Sequence, residues 1–154
     1  MDERARILIV DDDESIRTVL ATILEEEKYK VDTAQNGEEA IEKTKTQFYN
    51  LALIDIRLPD MEGTELLTRM KETIPKMRKI IVTGYPSLQN AIEAVNKGAD
   101  AYVMKPFDVA KVLKTIKEQL AKREQEKSFS QDKVAEFIET RVKEIEAEKN
   151  YNQQ

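Results

Sequence analysis

The chain has 154 residues, of which 40% are hydrophobic and 36% charged, with a net charge of −5. That suits one ordinary domain with an appendage, and the acidic balance argues against direct nucleic-acid binding. Cysteine and histidine are both absent. Their absence excludes disulfides, thiolate or histidine-assisted nucleophiles, zinc-thiolate and histidine-ligated metals, and a phosphohistidine on this chain.

No apolar run approaches the roughly 20 residues of a membrane span. The charged N-terminus lacks a signal-peptide core, so the chain is expected to be cytoplasmic, with no membrane partner.

Arg6-Ile7-Leu8-Ile9-Val10 is an apolar, β-branched run that ends in Asp11-Asp12-Asp13. A helix is expected next, with Ile16, Val19, Leu20, Ile23 and Leu24 at helical spacing. Asp13 suits its N-cap, and the dipole there favours negative charge, but one cap does not need three carboxylates. Tyr29 to Ala34 alternates and reads as a short strand. Asn36-Gly37 is a turn signal, and Glu38 to Thr46 is a modest amphipathic helix.

Leu51-Ala52-Leu53-Ile54 then runs straight into Asp55, as in a strand buried on both faces. Leu58-Pro59-Asp60 turns the chain, because proline fixes its own φ and restricts its predecessor. On its own, Asp55 reads as a strand-ending carboxylate that bonds turn amides. Gly63 opens a helix with Leu66, Leu67 and Met70 on one face, predicted to end before Pro75.

Lys79 to Thr83 is a fourth strand. Gly84-Tyr85-Pro86-Ser87 is a loop, with Ser87 as N-cap of a helix that carries Leu88, Ala91, Ile92 and Val95 and stops at Gly98. Ala101-Tyr102-Val103-Met104 is a fifth strand, followed by Lys105-Pro106. Asp108 caps a helix with Val109, Val112, Leu113, Ile116 and Leu120 inward. After Arg123 the chain turns polar. Ser128 and Gln131 suggest a capping box, and a further helix carries Val134, Phe137, Ile138, Val142 and Ile145. That stripe is short and irregular for a coiled coil. The last residues, 150–154, are expected to fray.

Strand and helix thus alternate five times. The expectation is a doubly wound α/β fold with a five-stranded parallel sheet in the flavodoxin-like order 2-1-3-4-5, plus a C-terminal helical extension. Right-handed crossovers place the ligand crevice beyond the carboxyl ends of the strands, between the first and third. Those strands end in Asp11-Asp12 and Asp55, and the fourth and fifth end near Thr83 and Lys105. Clustered carboxylates without histidine suit a hard cation, foremost Mg²⁺. A carboxylate there can attack phosphorus to form an aspartyl phosphate, with a lysine and a hydroxyl holding the phosphoryl oxygens.

Four motifs in order carry a family resemblance: Ile7 to Asp13, Leu53 to Gly63, Ile81-Val82-Thr83-Gly84, and Gly98 to Phe107. Over residues 5–122 the chain resembles the receiver domain of two-component response regulators, the CheY-like family. The resemblance implies that Asp55 is the phosphoacceptor. It implies Mg²⁺ ligation by Asp12 directly, by Asp11 through water, and by the Arg57 carbonyl. Thr83 and Lys105 would contact the phosphoryl group, Tyr102 would be the aromatic switch, and Lys105-Pro106 would be cis. Arg57 and Tyr85 flank the site where the family tunes phosphoryl lifetime.

The implied function is to accept a phosphoryl group from a histidine kinase or phosphotransfer protein. The surface of the fourth helix, fifth strand and fifth helix would then control an output protein or domain. Catalysis beyond self-phosphorylation and autodephosphorylation is not expected. Residues 1–123 would be the receiver. Residues 124–154 would be a helical extension that makes a homodimer or links to an output module.

Four other readings fit less well. An aspartate-nucleophile phosphatase resembles an Asp-x-Asp pattern, and Arg57 stands at the second position. A flavin module shares the fold, but Asp11-Asp12-Asp13 would repel the flavin phosphate. A phosphate-binding P-loop is excluded by the lack of Gly-x-x-x-x-Gly-Lys spacing. A receiver that is never phosphorylated is not favoured, because no acidic or switch residue is missing.

Overall fold

The structure is a computed structural model that describes residues 5–70, 72–73, 75–84 and 87–152. Five strands, β1 (Arg6–Val10), β2 (Lys30–Ala34), β3 (Leu51–Asp55), β4 (Arg78–Thr83) and β5 (Ala101–Met104), alternate with five helices. The helices are α1 (Glu14–Glu26), α2 (Gly37–Thr46), α3 (Gly63–Arg69), α4 (Leu88–Asn96) and α5 (Val109–Asn152). All strand pairs are parallel, in the order β2-β1-β3-β4-β5. The chain divides into two compact units, residues 1–123 and 124–154.

The strand sequences explain the layering. Side chains alternate across a pleated sheet, so an unbroken apolar run means burial on both faces. Leu8, Val10, Ala52, Ile54 and Ile81 pack with Ala40 and Ile41 of α2, Leu66 and Leu67 of α3, and Ala94 of α4. Their neighbours Ile7, Ile9, Leu51, Leu53, Ile80 and Val82 pack with Leu20 and Leu24 of α1 and Val112 and Ile116 of α5. Fully burying one such side chain is worth roughly 1.5–3 kcal/mol, so the two layers supply most of the stabilisation.

The caps fall where the sequence places them. Asp13 accepts from the Ile16 amide at 3.2 Å, and Ser87 from the Asn90 amide at 3.0 Å. Asp108 accepts from the Ala110 amide at 3.0 Å. Gly98, at φ +101°, ends α4 in the left-handed region that glycine adopts freely.

Helix α3 stops at Arg69, before Pro75 as expected. The buried Lys79 ammonium donates to the Leu67 carbonyl at 3.2 Å, satisfying an acceptor at the helix end. Burial lowers the Lys79 pKa, and the Lys76 charge adds to that. Met70 is still buried, as the first residue past the helix.

Helix α4 buries Ala94, whereas Leu88, Ile92 and Val95 are exposed, as is Val19 on α1. Two expectations are corrected. Val109 at the start of α5, expected to face inward, is exposed. No break or capping box exists at Ser128 and Gln131, because α5 is helical from Val109 to Asn152. The polar stretch 124–131 has neither proline nor glycine, and Glu, Gln and Lys are good helix formers. Tyr85 lies outside the described residues.

Candidate functional site

β1 and β3 are neighbours, and their carboxyl ends deliver three carboxylates to one crevice. One oxygen each from Asp11, Asp12 and Asp55 lies within 4.8 Å of the others. Asp11 and Asp55 are buried, at 3% and 9% exposure, while Asp12 is exposed. Leu20, Leu53, Val82 and Phe107 share a small pocket with Asp11 and Asp55.

Asp11 is firmly bonded. Its Oδ1 accepts from the Asp13 amide at 2.9 Å, and its Oδ2 from Lys105 Nζ at 2.8 Å. Arg17 Nη1 donates to the Asp11 carbonyl at 2.7 Å. Asp55 is held more loosely. Its Oδ1 accepts from the Arg57 amide at 3.5 Å, and its Oδ2 lies 3.5 Å from Lys105 Nζ. Both distances sit at the outer limit of a hydrogen bond, so Asp55 keeps lone pairs available.

The electrostatics follow from this crowding. Burial raises the Asp55 pKa, and the Asp11 charge raises it further; Lys105 and the Arg57 amide oppose both. Burial alone would lower the Lys105 pKa, but the bond to Asp11 and the charges of Asp11 and Asp55 outweigh it, so the net shift is upward. Three carboxylates against one ammonium leave two negative charges in a partly desolvated crevice. A divalent cation would balance them, and an all-oxygen donor set suits Mg²⁺. The residues present therefore fit that ion.

Lys105 comes from the other side of the sheet. Its amide donates to the Thr83 carbonyl at 2.7 Å, joining the ends of β4 and β5, and the Lys105–Pro106 bond is cis. Thr83 is fully buried at the end of β4. Tyr102 on β5 pairs in register with Ile81, two residues before Thr83, and packs against the core layer that holds Ala94. Its hydroxyl is buried without a hydrogen-bond partner among the described residues. Arg57 is exposed, and its peptide bridges Glu62 across the turn after Asp55.

Two further residues, read in the sequence only as a turn and a helix start, support the site. Asp60 reaches the N-terminus of α2, where its two oxygens accept from the Gly37 and Glu38 amides at 2.9 Å each. Asn36 takes the Glu39 amide at 2.8 Å, so the first three amides of α2 are satisfied. Gly63 lets α3 start hard against the end of β3. Its amide donates to the Ile56 carbonyl at 2.7 Å, and a Cβ there would stand 2.3 Å from the Asp55 carbonyl oxygen. The turn that carries Arg57 is thus tied at both ends.

The sequence signature of the response regulator receiver domain matches residues 7–117. The chain belongs to the response regulator receiver family. It is similar to the transcriptional regulatory protein ZraR of Klebsiella oxytoca, with 40% identity over 119 residues, which are 77% of this chain and 27% of that protein. The chain therefore spans about a quarter of that relative's length. Among solved structures it is similar to a CheY-like receiver domain protein from Methanospirillum hungatei JF-1. That likeness has 50% identity and a TM-score of 0.77, covering 80% of this chain and 99% of the other. It is also similar to the beryllofluoride-activated NtrC4 receiver domain dimer, at 40% identity and a TM-score of 0.72, over 77% of this chain and 98% of the other.

Receiver domains of two-component systems are signalling modules that bind Mg²⁺ at an acidic pocket, and Asp11, Asp12 and Asp55 form such a pocket here. Among the described residues, no helix is long and apolar enough to cross a membrane.

Proposed function

We propose that the chain accepts a phosphoryl group on Asp55 from a partner histidine kinase or phosphotransfer protein, with Mg²⁺ bound between Asp11, Asp12, Asp55 and the Arg57 carbonyl. The observation that carries this reading is the difference between two adjacent buried carboxylates. Asp11 is committed to Lys105 and the Asp13 amide, whereas Asp55 meets its partners only at 3.5 Å.

An Asp55 oxygen attacks phosphorus, and the bond from phosphorus to the donor's imidazole nitrogen breaks. With a small acyl phosphate, the bond to the acyl oxygen breaks instead, and its electron pair leaves with the carboxylate. The cation, when bound, offsets the charge of the phosphoryl oxygens. Lys105 and the Thr83 hydroxyl hold the oxygens that the cation does not reach. Attack of water on the aspartyl phosphate later releases phosphate, so this chain's own chemistry is limited to those two steps.

The output surface is α4, β5 and the start of α5. Its support is the exposed apolar row of Leu88, Ile92 and Val95 on α4, at helical spacing, together with Met104 on β5. A monomer gains nothing from leaving such a row in water, whereas a partner that covers it does. The relatives' designation as transcriptional regulators supports an output in transcription, through a partner or further module and not through this acidic chain directly. Residues 1–123 act as the receiver, and residues 124–154 as an element of self-association or connection to the output.

The test is intact-protein mass spectrometry after incubation with acetyl phosphate and Mg²⁺. One phosphoryl group is expected on the wild-type chain and none on Asp55→Asn or in excess chelator. Undiminished labelling of Asp55→Asn would sink the assignment.

A further inference from the structure

The second unit, residues 124–154, carries an apolar stripe that nothing in its own helix covers. Val134, Ile138, Val142 and Ile145 are 59%, 55%, 47% and 47% exposed, and Ala135 is exposed beside them. A heptad register with Ala135 and Val142 at a, and Ile138 and Ile145 at d, gives four successive apolar seam positions. The next seam positions, Gln131 and Lys149, are polar, so the seam is short. Val134 stands at g and widens it, while Phe137 falls at c and points away from it.

The flanking charges decide what covers this seam. In this register the e positions are Asp132, Glu139 and Glu146, and the g positions are Lys127, Val134, Arg141 and, at the end of the seam, Glu148. In a parallel, in-register pair each g residue faces the e residue five places on in the other helix. Lys127 then faces Asp132, Arg141 faces Glu146, and Val134 faces Glu139, while Glu148 has only the uncharged Gln153 five places on in the sequence, so no like charges meet. In an antiparallel pair e faces e, and all three e residues are carboxylates. The pattern is therefore self-complementary in one orientation only.

We propose that residues 127–149 form a parallel, in-register two-stranded coiled coil with a second copy of this chain. The proposal deepens the reading of residues 124–154 as a self-association element and is independent of the phosphoacceptor assignment. Arg141 already bonds Glu144 of its own helix at 2.9 Å, an exposed pair that it can exchange for Glu146 of the second copy. With four apolar layers the association is weak and rises with concentration.

Sedimentation equilibrium on the full chain over a concentration series tests it. A monomer–dimer equilibrium is expected. Ile138→Asp, at an exposed position that the fold does not need, is expected to abolish the dimer while circular dichroism stays unchanged. Arg141→Glu places two Glu–Glu pairs across the seam and is expected to weaken the dimer by roughly three- to tenfold. The double variant Arg141→Glu with Glu146→Arg is expected to restore it.

The chain has no cysteine, so single cysteines report orientation cleanly. Ala135→Cys and Val142→Cys are each expected to cross-link to themselves on oxidation, and Phe137→Cys is not. A chain that stays monomeric, a dimer that survives Ile138→Asp, a charge swap that restores nothing, or self-cross-linking at Phe137→Cys alone would overturn the proposal. Acetyl phosphate labelling of the same variants reads the Asp55 assignment separately.

Discussion

Lys105 stands closer to Asp11 than to Asp55: its Nζ is 2.8 Å from Asp11 Oδ2 and 3.5 Å from Asp55 Oδ2. Its ammonium pairs with two of the three crevice carboxylates, while the Arg17 guanidinium bonds the Asp11 carbonyl beside it. Lys105→Met is therefore expected to leave two buried carboxylates unpaired and to cost roughly 1–3 kcal/mol of stability. Urea unfolding measures the loss, and adding Mg²⁺ is expected to recover part of it, since a cation relieves the same repulsion. The pH dependence has a definite sign. The Lys105 pKa is raised in the folded state, so its contribution is complete below the ordinary lysine value and is lost as pH rises through the higher folded one.

Two glycines near the site are expected to differ sharply when a methyl group is added. At Gly63 a Cβ would lie 2.3 Å from the Asp55 carbonyl oxygen and 2.9 Å from the Ile56 Cα, both backbone atoms that cannot step aside. At Gly84 the nearest atoms are Lys105 side-chain carbons at 3.9 Å, an ordinary contact. Gly63→Ala is expected to cost about 1–3 kcal/mol, and Gly84→Ala less than about 0.5 kcal/mol. Parallel denaturation curves of the two variants check this, and equal losses would contradict it.

The strands were legible because burial on both faces leaves an unbroken apolar run, and the rim followed from what stands at the end of each run. Asp11, Asp12, Asp55, Thr83 and Lys105 needed only that rule and the strand order. The outward row of α4 was not legible as outward. Leu88, Ile92 and Val95 repeat as a core face does, and helical spacing does not say whether a row faces the sheet or is left in water. The inward contact belongs to Ala94, whose small side chain gives no hydrophobic signal. The continuity of α5 was hidden because a polar stretch reads as a linker when it only lacks a core to face. Asp60 was quoted within its motif, but its partners lie 22 and 23 residues away, beyond any local pattern.

Asp60 offers a test of that long-range tie. Asp60→Ala removes the acceptor of the Gly37 and Glu38 amides and is expected to cost about 0.5–2 kcal/mol, as loss of a helix N-terminal acceptor does. It also frees the turn that carries Arg57, so Mg²⁺ binding, followed by amide chemical shifts in a titration, is expected to weaken by up to about tenfold. The Asp60 pKa is lowered: slight burial pushes upward, and the two amides outweigh it. The contribution is thus present above the ordinary aspartate value and is lost as pH falls through the lower folded one. A variant whose Mg²⁺ affinity and acid unfolding match wild type would show that the tie does not position the loop.

The last prediction concerns how charge on Asp55 reaches the surface. Thr83 is fully buried at the rim, one strand from Asp55, and Tyr102 lies one strand further, in register with Ile81. A phosphoryl group gives the Thr83 hydroxyl and the Lys105 ammonium new oxygens to bond. Movement of Thr83 toward them opens space beside β4, and Tyr102 is the nearest large side chain able to fill it. The buried Tyr102 hydroxyl without a described partner marks the ring position with least holding it in polar terms. Two ring positions are then expected before phosphorylation, and only a contact that differs between them shifts their populations. The Thr83 hydroxyl is expected to be that contact. Thr83→Ala is therefore expected to accept phosphate on Asp55 and yet to show a reduced response at Tyr102 and along the exposed row of α4. Chemical shifts with and without beryllium fluoride, compared between wild type and Thr83→Ala, measure that response. A full wild-type pattern in Thr83→Ala would mean that the signal leaves the site by another route, with Lys105 and β5 as the remaining link.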